Sequence, residues 1–163
     1  MNESSPLLER AQAISRVDLA PRHAQPSWVS VAIATVASIA GSLIADALLV
    51  ALGTALFPST KGYVHFNFSD YSKLTVIGVL IACAAWPVVT RISSEPRWLF
   101  LRLAVLVTVF LLLPDVWLLW KSQPPEAVTI LMVMHLAIAL VTYNCLVRIA
   151  RVRPVEARRS QRH

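Results

Sequence analysis

Three ionisable side chains, Asp46, Asp115 and His135, stand inside stretches that are otherwise almost wholly apolar. A charge at the centre of a membrane-spanning helix costs about 2.5 to 3.5 kcal/mol on insertion scales, so such residues persist where they have a partner or a task. A carboxylate beside an imidazole in a low dielectric has coupled protonation, which is the chemistry a proton relay or a cation-coupled carrier needs. The same residues also suit a plainer role. An Asp46–His135 hydrogen bond between two helices would fix their register, an interaction averaging about 0.6 kcal/mol in one well-measured membrane protein. The elements that position these groups bear on the choice.

The chain has 163 residues, of which 56% are apolar and only 15% charged, and its mean hydropathy is +0.62. Soluble domains run at about 45 to 50% apolar and ~25% charged, so a water-soluble fold would lack the polar residues to cover its core. Four apolar stretches approach the roughly 20 residues that cross a bilayer, at 28–57, 74–90, 98–120 and 127–149. The expected fold is all-α, a four-transmembrane-helix bundle over residues 28–149, with a mobile N-terminal tail (1–27) and a basic C-terminal tail (150–163). The first stretch far exceeds the apolar region of a signal peptide, about 7 to 15 residues, and is expected to be retained.

Counted from the ends of these stretches, Asp46, Asp115 and His135 all fall in the same half of the bilayer, where they are close enough in depth to meet. Thr35, Ser38, Ser42, Asp46 and Gly53 share one helical stripe, and small or hydroxylated residues are what close helix packing in lipid uses. His135, Ala139 and Thr142 form a similar stripe in the last span, and Thr75, Gly78, Ala82 and Ala85 in the second. Asp115 follows Pro114, whose missing N–H frees the Phe110 carbonyl; a polar pocket at a kink and a solvated carboxylate beside Trp117 are both open.

Charge segregation gives the expected orientation, because Lys and Arg collect in short cytoplasmic loops. The arginines lie in the two tails and the connection between the second and third spans, with Arg102 just inside the third, whereas Lys61, Lys73 and Lys121 lie on the opposite side. Both termini are therefore expected to be cytoplasmic, with Arg102, Arg148, Arg151 and Arg153 anchoring that face to anionic headgroups. Trp28, Trp86 and Trp98 fall near that face and Trp117 and Trp120 near the other, as an interfacial aromatic belt would. Basic residues that flank spans do not form the folded basic face of a nucleic-acid binder, and no nucleic acid is expected. The N-terminal tail admits a short helix from Ser5, and its Glu3 to Leu8 segment resembles an acidic dileucine sorting signal. In the outer loop Val64, Phe66 and Phe68 alternate with Tyr63, His65 and Asn67, suggesting an extended piece at headgroup level.

Other chemistries find little support. No nucleophile, base and orienting group occur together, no glycine-rich loop cradles phosphate, and Asp115 is the one further ligand near Asp46 and His135, too few for a metal site. Cys83 and Cys145 are expected in opposite halves of the bilayer, apart from each other. The chain is thus expected to be no enzyme and to need no cofactor or metal.

Across residues 28 to 150, the segments SLIADALLVALGTALF, VVTRISSEPRW, LLLPD and above all LMVMHLAIALV, together with the aromatic outer loop, resemble a family of small uncharacterised four-helix membrane proteins common in actinobacteria, a domain of unknown function. The resemblance implies a bacterial plasma membrane and no assigned activity. Two functions are carried forward: an accessory or structural subunit packing against a larger membrane protein or a second copy of itself, and a small transporter or ligand-binding module using Asp46, Asp115 and His135.

Overall fold

The computed structural model describes residues 23–154, within which four long helices account for nearly all of the chain: α1 (Trp28–Leu56), α2 (Phe68–Ile92), α3 (Pro96–Trp120) and α4 (Pro125–Ile149). The N-terminal dileucine-like segment, the helix from Ser5 and the arginines after Pro154 lie outside the described residues. Each helix is long and apolar enough to cross a membrane. At 1.5 Å per residue, α2, α3 and α4 each span about 37 Å, and the apolar side chains that the four helices turn outward, such as Ile44, Leu80, Phe110 and Leu140, suit lipid rather than water.

Local chemistry sets the helix ends. Ser27 caps α1 by accepting from Ser30 N–H at 3.1 Å, and Pro96 and Pro125 open α3 and α4, where a missing N–H costs nothing. Helix α2 begins at Phe68, six residues before the apolar stretch does, because Asn67 caps it through Ser69 N–H and Asp70 sits in its first turn.

The first and last helices form the most extensive pair, with α3 beside α4 and α2 beside α1. Glycine permits the close approach of α1 to α4: a Cβ at Gly41 would come within 2.9 Å of Val141 Cγ1, and one at Gly53 would overlap the Ile130 side chain. Gly53→Ala should therefore destabilise the protein by about 1 to 3 kcal/mol, and Ile130→Val, which removes the nearest methyl, should recover most of the loss. Gly78, whose added Cβ would meet nothing within 4 Å, supplies the control. Thermal melts in one detergent compare the three, and a Gly53→Ala melt indistinguishable from that of Gly78→Ala would refute the packing.

That control also corrects an expectation. Gly78 faces outward, and the inward face of α2 is Tyr71, Thr75, Val79, Cys83 and Trp86. The α1 stripe is buried at Ser38, Ser42, Asp46 and Gly53, while Thr35 is half-buried and bonds back to the Val31 carbonyl at 2.9 Å.

The two ends of the bundle differ. At the terminal end, where residues 23–24 meet 153–154, Trp86 is completely buried instead of lying in an interfacial belt. Its Nε1–H donates to the Ala150 carbonyl at 2.9 Å, and its ring meets Phe100 edge-on at 5.1 Å. Gln25 and Thr90 exchange hydrogen bonds there, at 2.8 and 3.2 Å, and a two-residue bridge joins β1 (His23–Ala24) to β2 (Arg153–Pro154). The basal parts of both expected tails are thereby tied together. Cys83 and Cys145 also share this half: the early start of α2 moves Cys83 toward the terminal end, so the expected separation by depth does not hold, and both are free thiols.

The loop end carries an aromatic cap. Residues 57–67 fold into two short 3-10 turns, Pro58–Thr60 and Val64–Phe66, rather than an extended strand. Phe66 is buried and Tyr63 half-buried, whereas Val64 and Phe68 are exposed. Tyr63 meets His65 and Phe66 edge-on, each at 5.3 Å, and this cap packs on Tyr71, Ala127, Ile130 and Met134.

Candidate functional site

Beneath the cap lies the polar cluster. The α1 stripe carries Asp46 inward until it is fully buried, and its Oδ2 accepts from Thr75 Oγ1 of α2 at 2.7 Å. The other carboxylate oxygen, Oδ1, has no partner in the protein. On α3, Asp115 is 4% exposed. It is neither solvated beside Trp117 nor at a break in the helix, because α3 continues through Pro114 and turns Asp115 toward α4.

There Asp115 Oδ2 lies 3.1 Å from Nδ1 of His135, whose side chain is 30% exposed. The same nitrogen is 3.0 Å from the Leu131 carbonyl one turn back. One N–H cannot point at both oxygens. An Nδ1–H donated to the carbonyl leaves Asp115 Oδ2 in close contact with the ring but without a hydrogen bond of its own.

The expected Asp46–His135 hydrogen bond is thus replaced by two pairs, Asp46 with Thr75 and Asp115 with His135, while His135 bears on Asp46 only through space. Thr75 was visible as a position on a packing face, but its role as the carboxylate's partner was not. Two cap residues were missed. The Tyr63 hydroxyl is buried without a partner, and burial first, then the Asp115 carboxylate, push its phenol above the ordinary tyrosine range. His65 is within electrostatic reach of Asp115. The aromatic loop was the signal for both, though period-two alternation misassigned its inward side.

At the terminal end the Arg102 guanidinium sits 3.0 Å from the centre of the Trp98 ring, a cation–π contact one turn from the start of α3. Arg148 and Arg151 are exposed, with Arg151 Nε donating to the Arg148 carbonyl at 2.8 Å. Arg153 enters through its backbone in the bridge to Ala24.

Among the described residues, no group of three His, Cys, Asp or Glu side chains could hold a metal ion. An open groove of about 400 Å³ runs between α1 and α4 near the loop end, lined by Leu49, Leu52, Gly53, Glu126, Ile130 and Val133 among others; Asp46, Asp115 and His135 do not line it.

Four apolar helices closed around a small polar cluster define a multi-pass membrane protein. Residues 19–152 match the model of a family of unknown function (DUF6069), and the chain belongs to that family. No curated protein and no solved structure matches it.

Proposed function

We propose that this protein is a non-enzymatic accessory or structural subunit of a bacterial plasma membrane, with both termini cytoplasmic, packing against a larger membrane protein or a second copy of itself. The observation that carries this reading is the sealing of the carboxylates: Asp46 and Asp115 are buried, and each lies against a side chain of its own chain, Thr75 or His135. A carrier site must be reached by its cargo, and the groove between α1 and α4 does not reach these groups. They brace α1 against α2 and α3 against α4.

Purification of the full chain in mild detergent, with mass spectrometry of co-purifying chains and measurement of its own oligomeric state, tests the proposal. A defined heteromeric or homomeric complex supports it. A solitary monomer that moves a solute in reconstituted vesicles overturns it.

Orientation is tested separately. Reporters fused at Arg10, Ser94 and Ser160 should read cytoplasmic and one at His65 external, following the arginine distribution. A terminus reading external would overturn the assigned orientation.

The transport reading retains one specific support, the unpartnered oxygens Asp46 Oδ1 and Asp115 Oδ2. Folded but inactive His135→Gln and Asp46→Asn proteins would favour it over bracing.

A further inference from the structure

The groove between α1 and α4 has a length and a mouth that bracing does not explain. It runs from the loop ends of both helices, at Phe57 and Pro125, inward to Leu49 and Val133. Eight residues along each helix make it about 12 Å long, against about 15 Å for the hydrocarbon of one leaflet, half of the roughly 30 Å core. Its floor is the close packing of Gly53 on Ile130, and its walls are the apolar side chains of Leu49, Leu52, Leu56 and Val133. The mouth is different. Glu126 lines the groove from the first turn of α4, where the helix dipole suits a negative charge, and among the described residues it makes no ion pair.

We propose that this groove holds one acyl chain of a phospholipid from the loop-side leaflet, and that Glu126 selects a headgroup bearing a primary ammonium, as ethanolamine does.

An acyl chain descends from the headgroups toward the midplane, which is the direction of the groove and nearly its length. A second transmembrane helix fits less well. It would need to lie along the seam of α1 and α4 for most of the length of α4, about 37 Å, whereas the groove occupies only the loop-end third. Charge complementarity then distinguishes among lipids. A primary ammonium brings a positive charge and three N–H donors to the carboxylate, a charge-assisted pairing. The quaternary ammonium of choline has no N–H to donate, and a glycerol headgroup leaves the lipid's phosphate facing Glu126 as a like charge. A second open surface, formed by Ala32, Ile33, Val36, Ala37 and Ala40 on α1, has no charged residue in its lining and supplies a comparison. The assignment stands apart from the accessory reading, because it gives this groove to lipid and leaves a protein partner the other outward faces.

Native mass spectrometry of the full chain in detergent tests the proposal, with phosphatidylethanolamine, phosphatidylcholine and phosphatidylglycerol of identical acyl chains added in equal amounts. The ethanolamine lipid should be retained severalfold more than the glycerol lipid, with the choline lipid between them. Glu126→Gln should bring the three to parity while lipid is still bound, and Val133→Trp, which fills the groove with an indole, should reduce retention of all three. Val36→Trp, on the comparison surface, should leave both the amount and the preference as in wild type. Thermal melts of each variant identify any that is unfolded, and Glu126→Gln, a neutral replacement of the same size at the end of a helix, reads the headgroup preference independently of the groove-filling variant. Equal retention of the three lipids by wild type, a preference that survives Glu126→Gln, or retention untouched by Val133→Trp would each overturn the proposal. So would a dimer that Val133→Trp dissociates, which would give the groove to a second copy of the chain.

Discussion

Replacing Trp86 with alanine is expected to lower stability by about 3 to 5 kcal/mol, as truncation of a buried large aromatic does. The substitution empties the centre of the cluster formed by Ala34, Val79, Cys83, Phe100 and Leu146 at the terminal end. It also strips the Ala150 carbonyl of the donor that holds the end of α4. Trp86→Phe separates the two contributions, because it keeps most of the ring's packing and loses only the N–H, at a cost of about 1 to 3 kcal/mol. Trp120, 86% exposed against 0% for Trp86, is the control, and its alanine variant should stay within about 0.5 kcal/mol of wild type. Unfolding of all three variants in one detergent would settle the order, and equal losses for Trp86→Ala and Trp120→Ala would refute the assignment of Trp86 to the core.

The second large effect is expected at His135. His135→Leu leaves the Asp115 carboxyl buried with an apolar neighbour, and removing one partner of a buried polar contact costs about 1 to 3 kcal/mol. The loss should ease at acid pH, where the carboxyl is neutral, and it should shrink when Asp115→Leu is added, because replacing both partners by apolar groups removes the uncompensated charge. His135→Gln keeps a hydrogen-bonding group of similar reach and should retain most of the stability. Melting curves of the two single variants and the double variant over a pH series test the pairing. A double variant as unstable as the sum of its parts would show that His135 and Asp115 do not act on each other.

What the sequence made legible follows from what can be counted along a chain. Runs of apolar residues placed four spans, and an acidic residue flanked by serines at helical spacing placed Asp46 on an inward face. The start of α2 was less visible. A hydropathy scan registers apolar runs, and the first turn of this helix is polar, held by the Asn67 cap ahead of the apolar run. The partners inside the bundle depend on the rotation and axial offset of each helix, which periodicity within one helix does not contain. Asp46 and His135 matched in depth and face, yet the offset of α3 brings Asp115 to His135, and Asp46 finds a hydroxyl instead. Trp86 shows the same limit: a tryptophan near a span's end serves either an interfacial belt or a core, and the position of the Ala150 carbonyl decides between them.

The extensive pairing of α1 with α4 also has a consequence for biosynthesis. The chain is made from its N-terminus at about 5 to 20 residues per second, so α1 enters the bilayer roughly 5 to 20 s before α4 is complete. During that interval the Ser38, Ser42 and Asp46 face has no α4 to close over it, and the first polar partner to arrive is Thr75 on α2. The hairpin of α1 and α2 is thus expected to form first and give the carboxylate its hydroxyl partner, with α4 completing the bundle and bringing Arg153 to Ala24 through the bridge. A chain halted before α4 lacks the helix against which Gly41 and Gly53 pack, and the cell's membrane quality control would meet it as an unfinished bundle.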